Sequence, residues 1–399
     1  MKKVNFSSGF CPVPWYHMYY HVNNSTPCHL IRNNLNQSPE EYLNSSWLKN
    51  LKQEFVDGKV PSACAGCSSR EKLGLRSTRG SAWKKYLKVP EGRSIDISEF
   101  TVDKKSEIEM LEIVFSNLCN FKCRFCTSEC SSSIAQENIK FSIPIMSPLY
   151  RSLETSNGVA KTTEKNFEEL KNICLHSKFR KLVLTGGEPL IIKECYEILD
   201  FIVDQKLNDT IILELFTNCS VYNTKFIDRM LKFKNVNFIM SIDGVEKTAE
   251  YQRHGTNWDV VKENILKFNS MPISRWFNTA ISGYVLLDVS SLAKFLMDLY
   301  NQNNEIQNRC YSVSNTDDCH WKYMDTHLRE IAIKEIDLAV EILTPENFLP
   351  LSKELKDIKR VLQTTDPITP ERFIKFTQDL DRMREESFEK TFGCKLEKD

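Results

Sequence analysis

Residues 116–126 read Ser-Asn-Leu-Cys-Asn-Phe-Lys-Cys-Arg-Phe-Cys and directly follow a short apolar stretch, Leu111–Phe115. Cys119, Cys123 and Cys126 thus have the spacing C-x3-C-x2-C on one predicted loop at the end of a strand. Three thiolates at this spacing can bind three irons of an iron–sulfur cluster, which normally takes four cysteines, so one iron is left for another ligand. An amine together with a carboxylate would complete that iron. A zinc knuckle is the structural alternative, although zinc sites use C-x2-C pairs and a fourth ligand.

A second motif follows the next predicted strand and consists of Gly186, Gly187, Glu188 and Pro189. Glycines at the C-terminal end of a strand let the backbone approach a ligand closely. The carboxylate of Glu188 can accept hydrogen bonds from an ammonium group. A strand-to-helix turn with proline at the first helical position gives the same pattern. The motif taken alone therefore leaves both interpretations open.

Strands and helices alternate from about residue 109 onward. The predicted strands are Leu111–Phe115, Lys181–Thr185, Ile211–Phe216, Val236–Ile242, Thr279–Leu287 and Arg309–Val313. The predicted helices are Glu164–Cys174, Ile191–Gln205, Thr224–Phe233, Asp259–Phe268 and Ser290–Asn301. Repeated units of this kind form parallel sheets with right-handed crossovers. Because six strands are too few for a closed eight-fold barrel, we predict an α/β fold with a partial (β/α)6 barrel and a site at the C-terminal ends of its strands.

The chain divides into three regions that differ in composition and in their predicted helices and strands, and we predict domains at 1–108, 109–315 and 316–399. The first region is rich in cysteine and contains a predicted helix at about 39–56, which Pro61 ends. The last region is predicted to be a helical extension rich in charge. Within the middle region, residues 128–162 are rich in Ser and Thr and contain Pro144 and Pro148, so we expect a long loop or lid there.

The order of the two motifs resembles the radical S-adenosylmethionine (SAM) superfamily, whose members carry C-x3-C-x-aromatic-C followed by Gly-Gly-Glu-Pro. The resemblance covers residues 109–315. It implies that the cysteines of the first motif bind a [4Fe–4S] cluster whose fourth iron is completed by SAM. It also implies that Phe125 packs near the adenine and that residues 186–189 hold the methionine ammonium.

Further positions of this chain fit the same family. Asn218 follows the third predicted strand and Ser241 lies in the fourth, so the resemblance implies that they line the ribose and carboxylate of SAM. Arg253 resembles an arginine that pairs with the SAM carboxylate, and a surface salt bridge is the alternative for it. Cys219 is a departure, because the family commonly has glycine at that position.

The resemblance implies an enzyme that cleaves SAM reductively to a 5′-deoxyadenosyl radical. That radical would abstract hydrogen from an unactivated C–H bond of a peptide, a sugar or a similar polar substrate. A small electron-donor protein such as flavodoxin or ferredoxin would be its partner. A glycyl-radical activase and a non-enzymatic metal-binding module are the alternatives.

Four further cysteines lie near the beginning of the chain: Cys11, Cys28, Cys64 and Cys67. Their order, with Pro-Trp after the first and a final C-x2-C, resembles the SPASM/twitch domains that carry auxiliary clusters. Those domains usually follow the core, and their full form has seven cysteines. The resemblance implies one auxiliary [4Fe–4S] cluster, and zinc on the same four thiolates is the alternative. The remaining cysteines are predicted to be structural thiols: Cys130, Cys174, Cys195, Cys219, Cys310, Cys319 and Cys394. For Cys310 and Cys319, additional metal ligands or catalytic groups are the alternative.

Composition narrows the class of protein. Lys+Arg and Asp+Glu both number 53, and this balance argues against a protein that binds nucleic acid through bulk charge. No stretch approaches the roughly 20 apolar residues of a membrane helix. Residues 1–10 contain no long apolar run, so we expect no secretory signal and a cytoplasmic location. In such a reducing compartment, 14 cysteines indicate metal or redox chemistry more than disulfides.

Overall fold

An eight-stranded sheet forms the centre of the computed structural model, which describes residues 3–4 (backbone only), 9–31, 35–72, 77–88, 94–143, 156–313 and 318–397. The strands are β1 His17–His21, β2 Asn24–Thr26, β3 Met110–Val114, β4 Lys181–Leu184, β5 Ile212–Thr217, β6 Asn235–Ser241, β7 Ser274–Ile281 and β8 Gln307–Ser312. Their order across the sheet is β8-β7-β6-β5-β4-β3-β1-β2. All neighbours are parallel except β1 and β2.

Helices connect the strands and also lie in both terminal regions. They are α1 Val13–Tyr16, α2 Pro39–Leu43, α3 Ser46–Val56, α4 Ala65–Lys72, α5 Thr78–Ala82, α6 Ser132–Lys140, α7 Glu164–Cys174, α8 Lys193–Asp204, α9 Thr224–Met230, α10 Glu246–Gln252, α11 Trp258–Asn269, α12 Gly283–Leu286, α13 Val289–Gln302, α14 Thr326–Ile342, α15 Leu349–Thr364, α16 Glu371–Arg384 and α17 Phe388–Phe392. Side-chain oxygens cap many of their N-termini, for example Thr163 at α7 and Asn257 at α11.

The predicted α/β alternation is confirmed from β3 onward, with most bounds within two residues. The fifth predicted strand, Thr279–Leu287, is wrong in its position, because β7 runs from Ser274 to Ile281. Ser282 ends the strand and caps α12 by accepting a hydrogen bond from the Val285 amide at 3.3 Å. The apolar run after this cap is therefore helical, a choice that its composition does not settle.

The N-terminal hairpin enlarges the sheet beyond the six predicted strands. β1 pairs in parallel with β3 from His17 opposite Met110 to His21 opposite Val114. β2 pairs with β1 and forms the edge of the sheet. The division of the chain at residue 108 stays a prediction, but strands from both sides of it share one sheet.

Two other expectations need correction. The helix predicted at about 39–56 consists of α2 and α3, which are separated because Ser45 caps the second by accepting from the Leu48 amide at 3.1 Å. The predicted loop at 128–162 contains α6, whose cap is Ser131. Pro144 and Pro148 lie at 144–155, outside the described residues.

Two apolar cores and a small third cluster support this architecture in the described residues. In the larger core, alternate residues of the strands, such as Leu111 and Ile113 in β3, pack against the helices. A smaller aromatic core in the N-terminal region comprises Phe10, Trp15, Phe55, Trp83 and Phe100. Full burial of such a side chain contributes about 1.5–3 kcal/mol. The smaller core therefore fixes the N-terminal region beside the beginning of β1.

Candidate active site

Both sequence motifs lie at the same edge of the sheet. The cluster loop, which we define as residues 116–126, follows β3, and the segment Gly186–Pro189 follows β4. Asn218 follows β5, and Ser241 is the last residue of β6. Since these strands are parallel neighbours, their C-terminal ends meet at one edge, which is where ligands bind in folds of this kind.

Hydrogen-bond donors surround the sulfurs of the cluster loop. The Phe121 amide donates to Cys119 Sγ at 3.5 Å, and Asn218 Nδ2 lies 3.9 Å from the same sulfur. Arg253 Nη1 lies 3.8 Å from Cys123 Sγ. Such donors stabilise thiolates, and in iron–sulfur proteins they adjust the reduction potential of the cluster.

The thiols of the cluster loop are protonated at neutral pH in the absence of a metal. Burial raises the pKa of Cys119 to about 12 and also raises that of Cys123. A hydrogen bond that the Cys126 thiol donates to Cys130, together with burial, raises the pKa of Cys126. Metal binding must therefore displace these protons, which couples the binding of metal to the release of protons.

Neither the three cysteines of the cluster loop nor the four N-terminal cysteines are arranged around a single metal ion. Among the described residues, no three His, Cys, Asp or Glu side chains are arranged to hold one metal ion. A cluster makes a different demand, because each thiolate binds a separate iron. Three cysteines on one loop, with N–H donors aimed at two of them, meet that demand.

Only glycine fits at positions 186 and 187 of the second motif, because of the backbone conformation there and because neighbouring atoms leave no room for a side chain. Gly186 has φ +73° and Gly187 has φ +53°, in the region that favours glycine. A Cβ on Gly186 would lie 2.3 Å from Val114 Cγ1, and one on Gly187 would lie 2.4 Å from the Leu118 carbonyl oxygen. The Glu188 amide donates to that same oxygen at 2.8 Å. The second motif is thereby fastened to the cluster loop.

Glu188 is fully buried, and its carboxylate has partners within the protein. Oε1 accepts from Thr217 Oγ1 at 2.9 Å and from the Leu190 amide at 3.2 Å. Oε2 accepts from the Asn218 amide at 2.7 Å. Burial raises the pKa of Glu188 to about 7. Glu188 thus connects the end of β4 to the end of β5, and a contact with the methionine ammonium stays a prediction.

Glu188 also begins a helical turn. It is the N-cap of a short 3-10 turn over Pro189–Ile191. This geometry agrees with the turn interpretation of the motif, with proline at the first helical position. The turn and the close approach of the glycines to the cluster loop coexist, so the two interpretations of the motif do not exclude each other.

Arg253 is part of a buried ion pair. Its Nε donates to Asp243 Oδ2 at 2.7 Å, and Asp243 Oδ1 accepts from the Ala280 amide at 2.7 Å. Asp243 is 1% exposed, so the alternative of a surface salt bridge is wrong. The guanidinium carbon lies 5.5 Å from the centroid of the Phe125 ring. Arg253 therefore joins the cluster loop to the end of β6.

The remaining predicted SAM contacts lie along this edge. Asn218 is buried, and its Nδ2 donates to Asn120 Oδ1 at 3.1 Å within the cluster loop. Ser241 is half-buried and stands in register with Asn278 of β7. The neighbouring Cys219 has φ +61°, which explains why a family pattern favours glycine there.

Sequence reasoning missed Cys130, which we predicted to be a structural thiol. Its Sγ lies 3.5 Å from His21 Nε2, and its thiol hydrogen-bonds Cys126. Its carbonyl accepts from the Gly187 amide at 3.2 Å. Cys130 continues the C-x3 spacing after Cys126, which is the signal that could have found it. His21 gave no local signal, because only the pairing of β1 with β3 brings it to the site.

The four N-terminal cysteines line a single pocket, together with Phe55 and Arg79. Burial raises the pKa values of Cys28 and Cys64 to about 12 and raises those of Cys11 and Cys67. Cys11 precedes β1, and Cys28 follows the antiparallel β2, so both lie near the start of β1. The cluster loop follows the other end of the adjacent β3. The two groups of cysteines therefore lie at opposite ends of the sheet.

Two cysteines of undecided role lie elsewhere. Cys310 Sγ is 3.5 Å from the Pro350 carbonyl oxygen, and Cys319 is fully buried in the main core. These contacts agree with structural thiols. Within the described residues, no helix combines the length and the apolar character needed to cross a membrane.

Comparison with known proteins identifies relatives of the central segment. Residues 113–299 match the model of the radical SAM superfamily. The GTP 3′,8-cyclase of Campylobacter lari is 27% identical over 164 residues, which are 40% of this chain and 40% of that protein. The radical SAM cyclopropyl synthase TigE of Paramaledivibacter caminithermalis is 25% identical over 215 residues, which are 50% of this chain and 43% of that protein. The chain thus spans less than half the length of these curated relatives.

A solved structure with a similar fold is that of Streptococcus suis SuiB bound to the precursor peptide SuiA. It is 14% identical to this chain, with a TM-score of 0.37. The matched part covers 80% of this chain and 66% of SuiB.

Proposed function

Because residues 113–299 place this chain in the radical SAM superfamily, we propose that it binds SAM at a [4Fe–4S] cluster and abstracts a hydrogen atom from a C–H bond of its substrate. One observation carries the proposal. The two motifs, some sixty residues apart, are fastened together at the C-terminal edge of a parallel sheet, where Glu188 and Gly187 donate backbone hydrogen bonds to Leu118 and Cys130. Its relatives are enzymes, and this chain is an enzyme of the same superfamily.

The cluster would be held by Cys119, Cys123 and Cys126, with SAM on the remaining iron. When bound, the cluster supplies an electron to the sulfonium of SAM, and cleavage of the C–S bond gives methionine and a 5′-deoxyadenosyl radical. The part of the protein is to orient the reactants and to exclude water and oxygen. The position of the three cysteines beside the second motif suits this task, with Cys123 buried and Cys119 and Cys126 half-buried.

The neighbouring side chains would orient SAM. Gly186 and Gly187 let the second motif lie against Val114 and the Leu118 carbonyl oxygen, and the backbone of this motif would contact the methionine ammonium. The ring of Phe125 would lie near the adenine, while Asn218 and Ser241 offer polar groups at the adjacent strand ends. Arg253 would pair with the SAM carboxylate through donors that remain after its bonds to Asp243.

A polar substrate such as a peptide or a sugar would bind on the face of the sheet that carries Glu112 and Glu214, opposite the face that packs against the helices. There, Glu214 is buried and bonds Lys181 at 2.6 Å and Arg309 at 2.8 and 2.9 Å. Glu112, on the same face, lies 3.4 Å from His29 and 3.7 Å from His17. These charged side chains make this face of the sheet polar. A small protein such as flavodoxin or ferredoxin would supply the electron, and the enzyme would work in the cytoplasm.

We further propose a second metal site on Cys11, Cys28, Cys64 and Cys67. Their shared pocket supports it, since four thiolates can close a site without an external ligand. The order of these cysteines favours an auxiliary [4Fe–4S] cluster of the SPASM/twitch kind, and zinc is the alternative. The position of this pocket at the opposite end of the sheet separates it from the SAM site.

The test is the release of 5′-deoxyadenosine from SAM by the anaerobically reduced protein. The wild-type protein should release it, and the triple variant Cys119→Ala, Cys123→Ala, Cys126→Ala should release none. A control variant with Cys174→Ala, Cys310→Ala and Cys394→Ala removes the same number of thiols outside the site and should retain the activity. Undiminished release by the first variant would contradict the cluster assignment. No release by the wild-type protein would favour a non-enzymatic metal-binding module over both the proposed enzyme and a glycyl-radical activase.

A further inference from the structure

A buried positive charge lies inside the cysteine motif. Arg124 stands between Cys123 and Phe125 and is 3% exposed. Its Nη2 lies 2.5 Å from Asp381 Oδ1 and 2.5 Å from Glu386 Oε2. Both carboxylates belong to the C-terminal extension, more than 250 residues away in sequence. Because a buried charge without its partner is strongly unfavourable, this contact fixes the two segments to each other.

The surroundings of Arg124 are built to hold its guanidinium in one orientation. Its Nε donates to the Tyr251 carbonyl oxygen at 3.0 Å, and its guanidinium carbon lies 3.5 Å from the centroid of the Tyr251 ring. The Tyr251 hydroxyl donates to Asp381 at 2.8 Å. The second carboxylate, Glu386, also bonds His254 at 2.6 Å. A planar, charged group bonded on several sides in this way has little freedom to turn.

A second set of ion pairs connects α16, the helix that contains Asp381, to the cluster loop. Glu137 of α6 bonds Lys122 at 2.8 Å and Arg384 at 2.7 Å. Lys122 is the residue before Cys123, and Arg384 is the last residue of α16. The side chain of Arg384 is 2% exposed and that of Glu137 is 6% exposed. Residues on both sides of Cys123 are therefore connected to α16, one directly and one through Glu137.

Apolar contacts anchor the extension itself. Phe388 and Phe392 of α17 pack against Tyr251 and Tyr284. Phe373 of α16 packs against Tyr284, with 4.9 Å between ring centroids. Helix α16, which carries Asp381, and the segment between α16 and α17, which carries Glu386, are therefore held against the main core. They provide a rigid support for the ion pairs rather than a mobile tail.

We propose that α16 and α17 clamp the cluster loop, with Arg124 as a positioning residue that Asp381 and Glu386 hold in place. The inference rests on the proposed function of the loop. Arg124 is flanked by a cluster ligand and by the aromatic residue of the motif, so a shift of its backbone moves both. The clamp would fix the spacing of Cys123 and Cys126 and the position of Phe125. The C-terminal extension is then part of the SAM site rather than an appended domain.

The experiment compares the wild-type protein with the double variant Asp381→Asn, Glu386→Gln after anaerobic reconstitution of the clusters. The KM for SAM in 5′-deoxyadenosine release should rise by about tenfold or more, because small displacements of binding groups weaken oriented binding strongly. The electron paramagnetic resonance spectrum of the reduced cluster should also change. Arg372→Gln, on the same helix, removes an exposed ion pair with Asp318 and is the matched control. Its KM and spectrum should equal those of the wild-type protein.

Arg124→Lys tests the role of the planar guanidinium, since it keeps the charge and loses the paired donors. It should show an intermediate rise in the KM for SAM at an unchanged circular dichroism spectrum. If the double variant does not fold, Asp381→Asn and Glu386→Gln as single variants provide the same comparison. A KM and a cluster spectrum that equal the wild-type values in the folded carboxylate variants would overturn the clamp. Failure of the wild-type protein to release 5′-deoxyadenosine would instead overturn the proposed function.

Discussion

At the scale of single residues, the candidate site depends on buried carboxylates that face inward to the protein. Glu188 and Asp243 are both almost fully buried, and each accepts backbone hydrogen bonds. Asp243 has the Arg253 cation as a partner, whereas the donors of Glu188 are two amides and a hydroxyl. Burial raises the pKa of both carboxyl groups, and it raises that of Glu188 to about 7. The pKa of Glu188 therefore lies near neutral pH, and its ionisation is the one that a pH experiment can follow.

We predict that Glu188 makes the stability of the SAM-free protein depend on pH. Burial raises its pKa from 4.5 to about 7, so the native state holds the proton more tightly than the unfolded state. The stability that this group contributes is fully present below about pH 4.5 and is lost as the pH rises through about 7. The loss amounts to roughly 3 kcal/mol. Denaturant unfolding of the wild-type protein and of Glu188→Gln from pH 4.5 to 8 should give a difference in unfolding free energy that falls with pH.

A difference that stays constant over this range would mean that the three donors keep Glu188 ionised throughout. Asp209→Asn, at an exposed carboxylate between α8 and β5, serves as the control substitution. Its difference from the wild-type protein should be close to zero at each pH.

At the scale of elements, the two motif loops act as one unit because glycines allow them to touch. A side chain at residue 187 would meet a backbone carbonyl of the cluster loop, which cannot rotate away as a flexible side chain can. The strand ends that carry the loops are held in register by the sheet. A change in the backbone of the second motif therefore also displaces the cluster loop.

We predict that Gly187→Ala lowers 5′-deoxyadenosine release by about a hundredfold, because the added Cβ must displace the cluster loop. Gly58→Ala is the matched control. Gly58 also has a positive φ, +78°, but an added Cβ there would have no atom within 4 Å. It should lose about 1–2 kcal/mol of stability from backbone strain while its rate of SAM cleavage is unchanged. Equal activity of the two glycine variants would show that the close approach at Gly187 is not needed for function.

At the scale of the whole molecule, one sheet separates two groups of cysteines. β1 joins them, because Cys11 precedes the strand, while His21 at its other end contacts Cys130 beside the cluster loop. The C-terminal extension contacts the loop through Asp381 and Glu386. The regions before and after the central segment therefore both contribute to the candidate site.

We predict that the two groups of cysteines bind metal independently, since they lie at opposite ends of the sheet. If both hold [4Fe–4S] clusters, the reconstituted wild-type protein should contain about eight irons per chain. The variant with Cys119, Cys123 and Cys126 replaced by Ala should then keep about half of them. Metal and sulfide analysis of both proteins is the measurement.

Zinc in the N-terminal pocket would give a different result for the same triple variant, with almost no iron and about one zinc per chain. Absence of both metals from that variant would contradict a second site. Turnover by a variant with Cys64→Ala and Cys67→Ala then shows whether the N-terminal pocket takes part in the reaction or only stabilises the fold. Full turnover by that folded variant would assign the pocket a purely structural role.

The chemistry of the candidate site could be predicted from short segments of the sequence. The spacing of Cys119, Cys123 and Cys126 and the Gly-Gly-Glu-Pro run predicted the site, since ligands on one loop are close in space whatever the rest of the chain does. The alternation of apolar strands with amphipathic helices predicted the parallel sheet for a similar reason, because periodicity is a local property. Helix α7 was predicted around Glu164–Cys174, which are its observed bounds.

The contacts between distant segments could be seen only in the folded protein. The pairing of β1 with β3 brought His21 to the cluster loop, and the packing of α16 brought Asp381 to Arg124. The partners of the Glu188 carboxylate came from the next strand, so its burial could not be read from its own segment. Such contacts depend on the summed packing of many side chains across the core, and no single stretch of sequence carries that information.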